Sequence, residues 1–385
     1  MSTIQYDKAT TADREEIIKF ANFVFTSADE KIDFESRYPH LYSKEANRTE
    51  HHYVARENGK IIAMLGAFPF EISMLGEAYT AYGIGTVATH PQYTGQGHMR
   101  TLLALALEDI RKSGAVFCVL HGLRKRYEHF GFAVCGTSLS YTVTADGLKS
   151  LSAGTLPLIS LVDVPSEDSR FVAAAQRLCQ RQPFYFKRSD ADFINICRSV
   201  YSQLYAIQQG NSFEGYAVCN SDGSVISELL LKDAHCVYEA LNAHLKRFSI
   251  NSVRVALPPF ALEEAALLER ICQNVEISQT ANFNIFDYEI VLLSLLKLKK
   301  SIAPLCNGKL VLEILNVGTF CIEVSSSDVF VGKTTQAADI SLASLDAMRL
   351  LFSPQSNLLP LYSHISPEIY SWFPLPLYWP GPDSV

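Results

Sequence analysis

The chain has 385 residues, 48% hydrophobic and 19% charged, which is too long for one ordinary core and predicts two or three domains. A net charge of −7 argues against polyanionic partners such as nucleic acid and favours cationic or amine ligands. Nine cysteines lie scattered, without a C-x-x-C pair, which excludes a zinc ribbon or redox dithiol and reads as free thiols in a reducing compartment.

The opening residues MSTIQYDKATTADREE are polar and acidic, with neither the basic start nor the apolar stretch of a secretion signal. The longest apolar run, near 290–298, is far shorter than a membrane span, so a cytoplasmic protein without a membrane partner is expected. Thr11 is placed to cap a helix over 12–25, where Ile17, Ile18, Phe20, Ala21 and Val24 recur at helical spacing. In HHYVARENGKIIAMLGAFPFEIS, two β-favouring runs flank Asn58-Gly59, the dipeptide best suited to a tight hairpin. A strand over 79–89 leads through a glycine-bearing loop into a helix with Met99, Leu102, Leu103, Ala106 and Ile110 on one stripe and Gly114 closing it.

AVFCVL (115–120) reads as a buried strand, 124–130 as a short helix and 133–143 as a further strand. A hairpin precedes the alternation of strands and helices, which indicates a mixed α/β layer sandwich and not the βαβ succession of a dinucleotide fold. Residues 145–157 turn to Gly, Ser, Leu and Pro and mark a boundary. Beyond it, GYAVCNSDGSVISELLL repeats the strand–turn–strand order. A helix (234–246), the strand SVRVALPP and a helix (261–272) follow, as in a degenerate internal copy without the glycine loop. From Tyr288 a helix (290–298), the strand-like KLVLEILN, TFCIEVS and DVFVGK, and an amphipathic 344–351 make a third segment. The tail SWFPLPLYWPGPDSV is rich in proline and aromatics and poor in charge, so it is expected to pack against the rest of the chain.

Gln92-x-x-Gly95-x-Gly97 sits between strand and helix, where glycines and the positive helix end suit phosphate oxygens. Plain turn glycines are the bland alternative. His98 and Met99 stand where a Walker lysine and hydroxyl would follow, and Arg100 replaces the third glycine of a dinucleotide loop, so a phosphate ligand of another kind is indicated.

Val87-Ala88-Thr89 followed by QYTGQG resembles the Q/R-x-x-G-x-G/A signature of GNAT-type N-acetyltransferases. The run GQGHMRTLL, with RYEHFGF some thirty residues on, resembles the enhanced-intracellular-survival (Eis) family, as do LFSP near residue 353 and the aromatic tail. The resemblance implies an α+β chain of tandem GNAT domains: 1–146 with an acetyl-CoA site, a degenerate copy over 147–286, and a sterol-carrier-like α/β domain over 287–385. It also implies acetyl transfer from acetyl-CoA to the primary amine of an aminoglycoside-like polyamine or a lysine side chain, and a homo-oligomer, up to a hexamer.

By the same resemblance, Val87, Ala88 and Thr89 hold the thioester and pantetheine. Gln92, Gly95, Gln96, Gly97, His98, Met99 and Arg100 receive the pyrophosphate, and Gly122 and Leu123 flank the cofactor. Tyr127 matches the general acid. The 79–89 strand carries no carboxylate, and the family's terminal carboxylate, here that of Val385, would be the general base. The chain ends in valine, where some members of the family end in an aromatic residue. Phe25, Asp29, Glu30, Phe34, Tyr38 and Tyr42 border the amine pocket by analogy, with Asp383 adding negative charge. His121 either relays a proton there or is simply hydrogen-bonded at a strand end. His51-His52 has no carboxylate or cysteine partner at ligand spacing, so no metal is expected. A non-catalytic acyl-CoA or lipid-binding protein, and a longer-chain acyltransferase on tandem GNAT domains, remain open alternatives.

Overall fold

The structure, a computed structural model, describes residues 3–27, 31–151, 158–356 and 366–385. The chain begins with β1 (Ile4–Lys8), an edge strand absent from the sequence expectation, followed by α1 (Arg14–Phe25). The expected cap shifts by one residue: the Asp13 carboxylate accepts from the Thr10 amide (2.8 Å) and hydroxyl (3.0 Å), and a 3-10 turn over Thr11–Asp13 precedes the helix. Then come α2 (Phe34–Arg37), α3 (Pro39–Tyr42), β2 (His52–Glu57), β3 (Lys60–Met74), β4 (Glu77–Thr89), α4 (His98–Lys112), β5 (Phe117–Leu120), α5 (Arg124–Tyr127) and β6 (Ala133–Cys135). The β2–β3 turn is the expected tight one, with φ of +50° at Asn58 and +79° at Gly59.

The sheet is covered on both faces. On one, Leu102, Leu103, Ala106, Leu107 and Ile110 of α4 meet Tyr53, Ala55, Leu65 and Ala67; on the other, Ile17, Ile18, Phe20 and Ala21 of α1 meet Val54, Met64 and Phe68. Strands buried on both faces lose the polar–apolar alternation, which explains the continuous apolar run in β3.

The second stretch holds β7 (Ser138–Thr144), α6 (Ala145–Leu151), β8 (Ile159–Asp163), α7 (Ser169–Cys179), β9 (Phe184–Lys187), α8 (Phe193–Cys197), β10 (Gln203–Gln209), β11 (Ser212–Cys219), β12 (Val225–Leu231), α9 (Val237–Phe248), β13 (Ser252–Leu257), α10 (Leu262–Glu269), β14 (Cys272–Ser278) and β15 (Ala281–Ile285). Its sheet runs β14-β7-β13-β12-β11-β10-β8. The third holds α11 (Tyr288–Ile302), β16 (Gly308–Ile314), β17 (Gly318–Val324), β18 (Val329–Lys333), β19 (Ile340–Leu342), α12 (Ser344–Phe352) and α13 (Pro367–Trp372), with sheet order β18-β17-β16-β19.

Three expectations need correction. The strand expected over 133–143 breaks at Gly136 (φ +76°), where the Gly136 and Thr137 amides donate to the Phe352 and Leu377 carbonyls, giving β6 and β7. The helix expected over 261–272 ends at Glu269, and Cys272 opens β14. The sheets do not divide at 146 and 286. β7 pairs with β13 and β14 in the second sheet, whereas β15 returns to the first and lies between β5 and β6. β9 also leaves the second unit and pairs with β3. The boundary segment expected over 145–157 begins as α6, and its residues 152–157 lie outside the described residues. Among the described residues no helix is long and apolar enough to cross a membrane.

The tail packs as expected. Trp372, Phe373, Leu375 and Leu377 are buried with the β16–β18 face and α11, and Trp379 stacks edge-on against Phe186 (4.6 Å) and Phe70 (5.3 Å). This route carries the last residues back to the first sheet.

Candidate active site

β4 and β5 run parallel from Ala81/Phe117 to Ile84/Leu120, where β5 stops and β4 continues to Thr89, opening a wedge at the strand ends. Within the wedge β4 bulges. Gly85 pairs with Gly66 and Ala88 with Met64, so Thr86 and Val87 stand opposite a single residue of β3. Thr86 takes a left-handed φ of +50°, rare for a β-branched residue, and a buried relay holds it there. The His52 Nδ1–H donates to the Thr49 carbonyl (3.1 Å), which leaves Nε2 to accept from the Tyr42 hydroxyl (2.9 Å), and the Thr86 hydroxyl donates to the Tyr42 oxygen (2.6 Å). Burial holds His52 down to about 4, which keeps it in this neutral form.

At the entrance of α4, Gly95 (φ +82°) and Gly97 (φ +87°) both require the left-handed region. Gly97 is the N-cap and no side chain caps the helix, so its first amides face outward unpaired. The His98 side chain turns inward, its Nδ1 2.8 Å from the Tyr6 hydroxyl, so that only its amide belongs to this surface. Gln92, Gln96 and Arg100 are exposed around it, and Met99 is half-buried.

A cavity of about 310 Å³ lies in the wedge. Phe25, Ile32, Phe34, Arg37 and Tyr38 wall one side; Ile84 to Val87 of β4, His121, Arg126, Tyr127 and Val385 complete it. Tyr127 is 4% exposed and its ring packs on Gly122, where a Cβ would come within 2.9 Å of it. Burial raises the Tyr127 phenol above its usual value, and the neighbouring Arg126 offsets part of that. His121 faces the cavity and is lowered by its crowded surroundings, with a hydrogen bond to the Thr280 backbone opposing. Leu123 is exposed just beyond Gly122.

The chain's last residue reaches the same cavity. A Cβ on Gly85 would lie 2.3 Å from the carboxyl carbon of Val385 and 2.6 Å from its oxygen; one on Gly83 would lie 2.7 Å from a Val385 methyl. Two glycines on one face of β4 thus make the seat of Val385, Gly85 under its carboxyl group and Gly83 under its side chain. Asp383 is not in the pocket. It is 1% exposed and held by Arg188, whose Nη2 donates to Oδ2 at 2.7 Å. Asp29 and Glu30 lie outside the described residues.

Residues 5–135, from β1 to β6, match the family model described as "Acetyltransferase (GNAT) domain". This stretch of the chain is a GNAT acetyltransferase domain. The fold beyond it is also shared. The chain superposes on a GCN5-related N-acetyltransferase from Anabaena variabilis ATCC 29413 (18% identity, 98% of each chain, TM-score 0.67). It superposes likewise on a probable N-acyltransferase from Enterococcus faecalis V583 (17%, 98% and 97%, 0.68) and on Eis1 from Mycobacterium abscessus (14%, 99% of each, 0.64). No curated protein sequence matches the chain.

Of the residues expected from sequence, the GNAT domain brings Phe25, Phe34, Tyr38, Val87, His121 and Tyr127 together with Val385 at one cavity, and presents Gly95 to Arg100 beside the same wedge. Tyr42, expected at the pocket wall, is not in the lining but stands behind β4, bonded to Thr86 and His52; sequence reasoning missed that relay, and with it Gly83, Gly85, Arg37 and Arg126. A pair of glycines two apart inside a strand was the one available signal, and it needed a partner at the far end of the chain to be read.

Proposed function

We propose that the chain transfers an acetyl group from acetyl-CoA to a primary amine by direct attack on the thioester. The observation that carries this is the convergence of the Tyr127 phenol and the Val385 carboxyl group on one cavity at the bulged end of β4. The amides of Val87 and Thr89, turned away from β3, are the donors for the thioester and pantetheine, whereas that of Ala88 faces Met64 in the ladder; the uncapped amides from Gly97 onward take the pyrophosphate. The carboxylate of Val385 accepts a proton from the amine nitrogen as it bonds to the acetyl carbon. The carbon–sulfur bond then breaks, and the phenol proton of Tyr127 goes to the departing sulfur. A phenol raised by burial stays protonated at neutral pH, as that role requires.

The described cavity lining has the aromatics Phe25, Phe34 and Tyr38, the cations Arg37 and Arg126, and no Asp or Glu side chain. The aromatic side chains support an amine carried on an apolar stem, of the lysine kind. The second unit reads as a GNAT copy that has lost its site. Its β12–α9–β13 crossover repeats β4–α4–β5, with parallel pairing at Val225/Arg254, but the Asp233 carboxylate accepts from the His235 amide (2.9 Å) at the helix entrance where the first unit presents glycines. The third unit reads as the sterol-carrier-like domain that delivers the tail.

Steady-state release of CoA thiol with Nα-acetyl-lysine, tyramine and kanamycin tests the reading. Turnover is expected, falling in Tyr127→Phe and in a chain extended by one glycine after Val385. Tight CoA binding by calorimetry without transfer to any amine would instead mark an acyl-CoA-binding protein.

A further inference from the structure

The last residues leave a buried ion cluster just before they reach the cavity. Arg188 is 7% exposed. Its Nε and Nη2 donate to Asp383 Oδ1 (3.1 Å) and Oδ2 (2.7 Å), and its Nη1 and Nη2 donate to Glu228 Oε1 and Oε2 (both 2.7 Å). The Tyr216 hydroxyl donates to Glu228 Oε1 (2.6 Å), and the guanidinium lies over the Phe193 ring. Every guanidinium nitrogen has an acceptor, so the planar fork is fixed in orientation.

Three parts of the chain meet here. Arg188 follows β9, which is hydrogen-bonded to β3 of the first sheet; Glu228 comes from β12 of the second; Asp383 comes from the tail. β3 in turn pairs with β4, on which the terminus is seated. A buried ion cluster is seldom more stabilising than apolar residues of the same volume, so its retention points to position more than to stability. Trp379 anchors the tail further upstream, but the chain beyond it can reach about 20 Å, which is too loose to place a carboxyl group. From Asp383, with Ser384 alone between, the reach to Val385 is about 7 Å.

We propose that Arg188, backed by Glu228, is a positioning residue for acetyl transfer: it grips Asp383 and thereby sets the terminal carboxylate over Gly85. The proposal rests on Val385 acting as the base. Through Glu228 the latch makes the second unit part of the reaction.

The test uses the full chain as wild type, Asp383→Asn, Arg188→Lys and the one-glycine extension. Valine release by carboxypeptidase Y reports seating of the terminus without reference to activity. Thermal unfolding verifies the fold, and CoA-thiol release with Nα-acetyl-lysine or tyramine gives kcat and KM. Asp383→Asn is expected to release valine about 10-fold faster. Its kcat falls about 100-fold while KM for acetyl-CoA stays within about 2-fold. Arg188→Lys, which keeps the charge and loses the fork, falls between it and wild type. Unchanged valine release in Asp383→Asn overturns the latch, and so does a loss confined to the acetyl-CoA KM. An extension that leaves kcat intact overturns the base reading itself, whatever the release rates show.

Discussion

Replacing Gly85 by alanine isolates the terminal carboxylate from everything else in the cleft. The new methyl carbon would sit 2.3 Å from the Val385 carboxyl carbon. Carbon atoms prefer a separation of about 3.5 Å, so the terminus must retreat by roughly 1 Å or more. Gly85 is not among the residues with positive φ, so alanine suits its strand backbone and the fold should keep its stability. A misplacement of about 1 Å in a reacting group costs on the order of 100-fold in rate, equivalent to about 2.7 kcal/mol of barrier. Steady-state CoA-thiol release should therefore show kcat down about 100-fold. Calorimetric affinity for acetyl-CoA should stay within about 3-fold, because the new methyl meets only Val385 and not the proposed CoA donors, the amides of Val87 and Thr89 and the α4 entrance. A Gly85→Ala protein with kcat within about 3-fold of wild type would refute the assignment of the base.

Tyr127→Phe removes the proposed proton donor while keeping the ring on Gly122, and kcat is expected to fall about 100-fold or more. Because burial raises this phenol, no alkaline limb due to Tyr127 should appear in the kcat profile below its ordinary value of 10; a limb near pH 8 that vanishes in Tyr127→Phe contradicts the raised phenol. Gly97→Ala meets no neighbouring atom but forces a left-handed alanine, a strain of about 1 kcal/mol. It should weaken CoA binding about 5-fold by calorimetry, and an unchanged affinity would remove this turn from the phosphate site. His40 and His52 are held down by burial to about 3 and about 4, from 6.5 in the unfolded chain. The unfolded state binds protons that the folded state does not, so their contribution is complete above pH 6.5 and is lost as pH falls, by about 2 kcal/mol per histidine at pH 5. Urea unfolding at pH 7 and pH 5 measures this, and equal free energies at the two values would count against neutral, buried histidines.

Features fixed by local chemistry were legible in the sequence. Asn58-Gly59 and the Gly95/Gly97 turn need positive φ, and few residues supply it. The α4 stripe repeats at 3.6 residues whatever it packs against. Features fixed by a distant partner were not legible. Ala281–Ile285, for which the sequence pattern indicated no element, is a strand buried throughout despite Asn282 and Asn284. Its amides find carbonyls far away in sequence: Asn282 Nδ2 donates to those of Leu120 and Gly122, and Asn284 Nδ2 to that of Phe130. Asp383 looked like a pocket acid because nothing near it in sequence reveals Arg188. Gly83 and Gly85 carry no local signal for the same reason: the residue they make room for, Val385, lies at the far end of the chain.

The return of β15 to the first sheet has a consequence for how the molecule is made. Until Ala281–Ile285 has been synthesised, β5 and β6 have no strand between them, and β5 has only β4 as a partner. The GNAT domain must therefore wait, with an open seam in its sheet, while the whole second unit is translated. Such late, long-range closure folds slowly and leaves strand edges exposed to wrong partners meanwhile. A gene cut at residue 146 would leave that seam open permanently, so the catalytic half is not a portable module, and exchange of parts between such proteins has to respect the pair β7 and β15 together.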